Sequence, residues 1–164
     1  MTIKSFFLGM ICTFLLFNIN SNPVHAQDQI HDPSGLWLTK NERSAIRIGQ
    51  CDQDKEKLCG HIAWIIKDGM QYDSENPDQN LRKRPMCGLQ ILSDFEQSDK
   101  APNKWEDGKI YKADDGDLYN ANLEMIDPDR LRVHGYIGIP LFGKTQIWNR
   151  VSSDDYPKCS PPEE

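Results

Sequence analysis

The sequence predicts an all-β domain built from eight short antiparallel strands, closed into a barrel or stacked as a sandwich. Three observations carry this. Apolar and polar residues alternate over short runs, with no recurrence at helical spacing. Such runs return at short intervals from Leu36 to Arg150, separated by Gly, Pro, Asn and Asp. No stretch reads as a long amphipathic helix. Closure into a barrel would remove the exposed edges of an open sheet. Eight strands enclose an interior filled by side chains, or just wide enough for one small ligand.

The chain opens on an export signal over residues 1–26. Lys4 supplies the positive end, Phe6 to Phe17 the apolar core, and Val24-His25-Ala26 a small-residue cleavage site. That core is too short to span a bilayer as a helix. The mature chain would therefore begin at Gln27, carry no transmembrane segment, and reside in the periplasm or outside the cell. Residues 27–34 are polar and read as a flexible N-terminus.

The ordered domain is expected over residues 35–151. Gly35-Leu36-Trp37-Leu38 begins it. Ala45 to Ile48 alternates, and His61 to Ile66 follows with Ile62, Trp64 and Ile66 on one face, so the two runs form a hairpin. The stretch Asn76 to Leu92 starts as a turn-rich loop. Pro77 and Pro85 hold it extended, Arg82, Lys83 and Arg84 charge it, and Gly88 to Leu92 becomes the fourth strand.

A hydrophilic connection from Ser93 to Lys104 leads to Trp105–Ala113, where Asp107-Gly108 signals a turn before Ile110-Tyr111. Asp114 to Asp117 is a tight connection into Leu118–Met125, where Tyr119, Ala121, Leu123 and Met125 alternate. Asp127-Pro128-Asp129 turns the chain into a strand with Leu131, Val133 and Ile137, interrupted by Gly135. The loop Gly138–Gly143 carries apolar side chains between two glycines. Thr145–Arg150 is the last strand, and residues 152–164 form a linker-like tail rich in proline and acid.

Composition narrows the functional classes. A formal charge of −6 lacks the cation excess that binding to nucleic acid needs. Five cysteines are present, and losing Cys12 with the leader leaves Cys51, Cys59, Cys87 and Cys159. An even set in an exported chain predicts two disulfides. Cys51 and Cys59 end consecutive strands across a short polar loop and are expected to pair. Cys87 and Cys159 would then tie the tail to the fourth strand. Without a C-x₂-C pair or an H-x₃-H partner, zinc is not expected.

Eight fragments in order bear a resemblance to a known family. They are Gly35-Leu36-Trp37, Leu58 to Ile62, Asn76-Pro77-Asp78, Arg82-x-Arg84-Pro85, Gly88-Leu89, Asp107-Gly108-x-Ile110-Tyr111, Gly135-Tyr136-x-Gly138, and Gly143 to Gln146 with Trp148 and Arg150. From Gly35 to Val151 the chain resembles an exported bacterial family known as domain of unknown function 2147. A second likeness is to the lipocalins and their calycin relatives. Those barrels carry Gly-x-Trp on the first strand and an Arg near the end of the last. The resemblance implies an eight-stranded antiparallel lipocalin-like barrel with little helix, in which Arg150 stacks on Trp37 and both residues are structural. A cation over an indole adds roughly 0.5–2 kcal/mol.

Catalytic patterns are missing from the sequence. There is no G-x-S-x-G, H-E-x-x-H or phosphate-binding loop, and Cys87 has disulfide partners rather than a free thiol for His134 to activate. The acidic run around Gly116 does not fit an EF-hand, since Tyr111 and Asn122 would occupy positions that need Asp and Glu. No metal or other cofactor is expected, and neither His61 nor His134 has a ligand set around it. The expected function is non-enzymatic binding of a small, partly apolar ligand such as a fatty acid. Its entrance is expected near Arg82 and Arg84, with Trp64, Tyr111 and Tyr119 as interior side chains. The alternative is a solid barrel whose loops contact the envelope or another protein; an envelope enzyme is the remote third. Nothing in the sequence addresses the oligomeric state.

Overall fold

A computed structural model describes residues 32–162. The export signal over residues 1–26 lies outside the described residues. Eight strands follow in order: β1 (Gly35–Leu38), β2 (Ser44–Gln50), β3 (Leu58–Ile65), β4 (Gln90–Gln97), β5 (Lys104–Lys112), β6 (Asp117–Asp127), β7 (Arg130–Tyr136) and β8 (Gly143–Arg150). Each pairs antiparallel with the next, and β8 returns to β1 through Trp37 opposite Arg150 and Leu38 opposite Asn149. The sheet is a closed barrel. Helix among the described residues amounts to one 3₁₀ turn, Gln79–Leu81, capped by the Asp78 side chain.

Alternation along the strands sorts the side chains. Trp37, Ile46, Ile48, Phe95, Leu123, Leu131 and Trp148 are nearly or fully excluded from solvent and form the barrel's core. Leu36, Leu38, Ala45 and Ala63 lie on the opposite face of the same strands and form a second, smaller cluster. Two glycines allow the core to close. A Cβ at Gly108 would stand 2.3 Å from the Phe95 ring, and one at Gly60 would stand 2.8 Å from Leu92. Both are far inside contact distance, so the large side chain on β4 fills the hollow that the glycine leaves.

One end of the barrel is sealed where β1 begins and β8 ends. The Arg150 guanidinium lies over the Trp37 ring at 4.2 Å. Its nitrogens donate to the carbonyls of Pro128, Ser34 and Asp32 at 2.6, 2.7 and 2.8 Å. The Trp37 indole N–H donates to the Pro33 carbonyl at 2.8 Å. The stacking of Arg150 on Trp37 that the resemblance implied is present. The described part of the expected flexible N-terminus, residues 32–34, is instead held in place, because the buried indole and the guanidinium need those carbonyls.

Cys51 pairs with Cys59 across the β2–β3 connection, and Cys87 pairs with Cys159. Both expected disulfides are present. The second draws the tail along the outer cluster, where Tyr156 meets Trp64 edge-on at 4.9 Å and the Cys159 N–H donates to the Ala63 carbonyl at 2.8 Å. The tail is therefore docked through residue 159, not linker-like.

Three further expectations change. The hydrophilic stretch after Leu92 remains strand as far as Gln97; its polar side chains face out while Phe95 is fully buried. Asp107-Gly108 is a bulge within β5, with Asp107 at φ 57°, not a turn. A bulge in β3 also breaks the shared face expected for Ile62, Trp64 and Ile66. Ala45 pairs with Trp64 but Ile46 pairs with Ile62, which leaves Ala63 as an extra residue. One inserted residue moves every later side chain to the other face. Ile62 and Ile65 consequently touch the core, whereas Trp64 joins the outer cluster.

Candidate functional site

Four connections gather at the end opposite Arg150: residues 39–43, 66–89, 113–116 and 137–142. The longest of them is held down by a buried carboxylate. Asp73 is fully excluded from solvent. It accepts from Arg84 Nε at 2.7 Å, from Asn76 Nδ2 at 2.8 Å and from the Tyr111 hydroxyl at 2.7 Å. Asn76 also reaches the Tyr111 oxygen at 3.0 Å, and the Arg84 guanidinium stands 5.3 Å from the Tyr111 ring centre. A buried charge is tolerated when paired and hydrogen-bonded in this way. Burial, and then the hydrogen bond to Asp73, raise the Tyr111 pKa above its ordinary value. Gly116 brings the β5–β6 turn against the same loop, since a Cβ there would meet the Glu75 carbonyl at 2.2 Å.

Two pockets lie beside this network. The larger, about 540 Å³, is bounded by the end of β5, the start of β6, the end of β7 and the β7–β8 loop. Its apolar wall includes Ile110, Val133, Ile137, Leu141 and Phe142; Lys112, Asp115, Tyr119, Lys144 and Gln146 supply polar groups. The smaller, about 150 Å³, faces β2, β3 and the 66–89 loop. The larger adjoins Gly135, a position into which no neighbouring side chain intrudes. Gly108, Ala121, Gly135 and Lys144 are in register across β5 to β8. Phe95 occupies the space at Gly108, but a Cβ at Gly135 would find its nearest neighbour, Ile110, at 3.4 Å.

Polar chemistry at the larger pocket centres on Asp115. Lys112 Nζ pairs with its carboxylate, and the Tyr119 hydroxyl donates to it at 3.1 Å. Hydrogen bonding to Asp115 raises the Lys112 pKa. Tyr119 is raised by desolvation and then by that carboxylate. Desolvation pushes Asp115 upward, but hydrogen bonds from Lys112, the Asp117 N–H and Tyr119 outweigh it and leave its pKa lowered. Lys144, on the facing strand, makes no ion pair among the described residues.

The β7–β8 loop is positioned by His134. Its Nε2 lies 2.8 Å from the Pro140 carbonyl, which can only accept, so Nε2 carries a proton. Nδ1 lies 2.9 Å from the Thr145 hydroxyl, and the ring stacks on Tyr136. Ile137, Ile139, Leu141 and Phe142 are left exposed at 70%, 54%, 80% and 71%, a concentration of apolar surface unusual for so short a loop.

Of the ligand residues anticipated from sequence, Tyr111 and Tyr119 line the larger pocket. Trp64, Arg82 and Arg84 line neither pocket. The interior position expected for Trp64 is overturned by the β3 bulge. The entrance expected near Arg82 and Arg84 is corrected as well: Arg84 is committed to Asp73, and Arg82 Nε donates to the Asn76 carbonyl at 2.8 Å. Sequence reasoning missed Gly135, Lys144 and Gln146. Its available signal was the apolar loop between Gly138 and Gly143, which lies beside all three. Among the described residues no group of His, Cys, Asp and Glu is placed to hold a metal, and no helix is long and apolar enough to cross a membrane.

An eight-stranded closed antiparallel barrel, sealed by a last-strand Arg over a first-strand Trp, is a lipocalin-like barrel. It is similar to the structure of a protein from the human pathogen Helicobacter pylori that belongs to the lipocalin family, with a TM-score of 0.66 and 21% identity over 76% of this chain and 86% of that one. The chain belongs to the bacterial family of domain of unknown function 2147, described as uncharacterized proteins conserved in bacteria, which it matches over residues 35–150. No curated protein matches it significantly.

Proposed function

We propose that the protein is an exported, non-enzymatic carrier or sensor that holds a small molecule with an apolar body and an acidic end. The observation that carries this reading is the unfilled hollow at Gly135. A barrel that needed only to be solid would place a side chain there, as it places Phe95 over Gly108. The pocket of about 540 Å³ falls within the roughly 300–1,000 Å³ usual for small-ligand sites. Apolar groups from β7 and its following loop receive the body, and Lys144 meets the acid. A fatty acid has this chemistry. Two disulfides accord with the oxidising surroundings of the periplasm or the cell exterior.

The test is titration of the delipidated, oxidised protein with a fatty acid, followed by calorimetry. Saturable binding is expected. Gly135→Leu, which fills the hollow beside Ile110, should weaken it at least about tenfold, or 1.4 kcal/mol, while the folded near-ultraviolet spectrum is retained. Lys144→Ala should weaken binding of the acid more than binding of the matching alcohol. The absence of saturation in the wild-type protein defeats the proposal. A second reading rests on the exposed loop Ile137–Phe142, whose apolar side chains suit contact with another envelope component. Under that reading Gly135→Leu is silent, and polar substitutions at Ile139 and Leu141 abolish retention by envelope fractions.

A further inference from the structure

The two pockets share three residues, and those residues stand on strands that are not neighbours. Tyr111 and Lys112 end β5, Gln146 lies within β8, and each lines both cavities. In the closed strand order, β6 and β7 lie between them on one side and β1 to β4 on the other. A line from Tyr111 to Gln146 therefore divides the open end of the barrel. The larger pocket falls on the β6–β7 side and the smaller on the β2–β3 side, where its floor is Ile62, Ile65, Met86 and Trp148.

Both halves of this division are anchored. The Tyr111 hydroxyl is bound to the fully buried Asp73 and to Asn76, and Arg84 stands against its ring. On the facing strand, the Gln146 carbonyl oxygen accepts from the Trp148 indole N–H at 3.1 Å. A tyrosine needed only for packing does not require three polar partners from a separate loop. Such anchoring suits a side chain whose position must not yield to a ligand pressing on it.

We infer that the two pockets are compartments of one site, and that Tyr111, which together with Gln146 lines both, is the stop that sets the length of apolar chain the site accepts. This rests on the reading of the larger pocket as a site for an acyl-type ligand. With Tyr111 in place, a chain entering beside Lys144 fills the β6–β7 compartment and ends against the ring. Without it, the chain can continue toward Met86 and Trp148, whose apolar surfaces and adaptable thioether suit a hydrocarbon end.

The experiment is a chain-length series. Saturated fatty acids from medium to long chain are titrated into the full oxidised protein and into Tyr111→Ala, Tyr111→Phe and Gln146→Ala. In the wild type each added methylene that is buried should tighten binding about fourfold, up to a length beyond which affinity stays flat. Tyr111→Ala should move that plateau to longer chains, Gln146→Ala should move it in the same direction, and Tyr111→Phe, which keeps the ring but loses its hydroxyl anchor, should move it less than Tyr111→Ala. Gln146 is solvent-exposed, so its variant remains informative if Tyr111→Ala fails to fold. Saturable wild-type binding with an unmoved plateau in the folded variants overturns the partition alone. Absence of wild-type binding at every chain length rejects the underlying ligand reading instead.

Discussion

Arg150 occupies the space that a side chain at Gly35 would need: a Cβ there would stand 2.4 Å from the guanidinium Nη1. Gly35 also holds φ at 140°, a backbone region that L side chains seldom adopt. Glycine, tryptophan and arginine thus form one device. The glycine admits the guanidinium, the guanidinium covers the indole, and both bind the carbonyls of the incoming chain. Trp37→Ala should cost about 3–5 kcal/mol through its cavity. Arg150→Ala should cost about 2 kcal/mol through lost charged hydrogen bonds and stem packing, and Gly35→Ala should destabilise as well. Urea unfolding of the three variants checks the order; wild-type stability in Trp37→Ala would show that the floor does not depend on the indole.

The two disulfides close loops of very different length, with sequence separations of 8 and 72. On the chain-entropy estimate, the Cys51–Cys59 bond stabilises by roughly 2.5 kcal/mol and the Cys87–Cys159 bond by roughly 4 kcal/mol. Replacing Cys87 and Cys159 together by Ser should therefore be the more damaging change. It should also release the tail from Trp64, read as a red shift and rise in quenching of tryptophan emission. Equal losses from the two double variants would argue against loop length as the source of the difference.

The Asp73 network predicts a defined response to alkali. Tyr111 has a folded pKa above its unfolded value, because burial and then the Asp73 carboxylate disfavour the phenolate. The folded state therefore holds the proton more tightly. Its contribution is complete below the unfolded value of 10.0 and is lost as pH rises through the folded value. Stability of the wild type should fall above about pH 10, and Tyr111→Phe should show a shallower fall. At neutral pH the same variant should lose about 1 kcal/mol for its hydrogen bond. Asp73→Ala, which leaves Arg84 without its partner, should lose about 3 kcal/mol and expose residues 66–89 to proteases. Parallel alkaline limbs for wild type and Tyr111→Phe would remove Tyr111 from this account.

Strand number, antiparallel order and the Cys51–Cys59 bond were legible in the sequence through local rules: alternation of apolar residues, turn chemistry between runs, and two cysteines across a short polar loop. The Trp37–Arg150 floor was legible only through the resemblance to lipocalins, and the Cys87–Cys159 bond as the pair that remained. The site was legible only in part, through Tyr111 and Tyr119. Its other residues depend on relations that have no local signature. The bulge at Ala63 sends Trp64 outward, because a single inserted residue reverses alternation and nothing in His61–Ile66 announces it. Arg84 is taken by Asp73, eleven positions away in a loop of otherwise ordinary polarity, and burial rather than spacing makes that pairing obligatory. The hollow at Gly135 is open while the one at Gly108 is filled. That difference follows from which strand carries Phe95 and how β4 to β8 come into register, and only the closed barrel decides it.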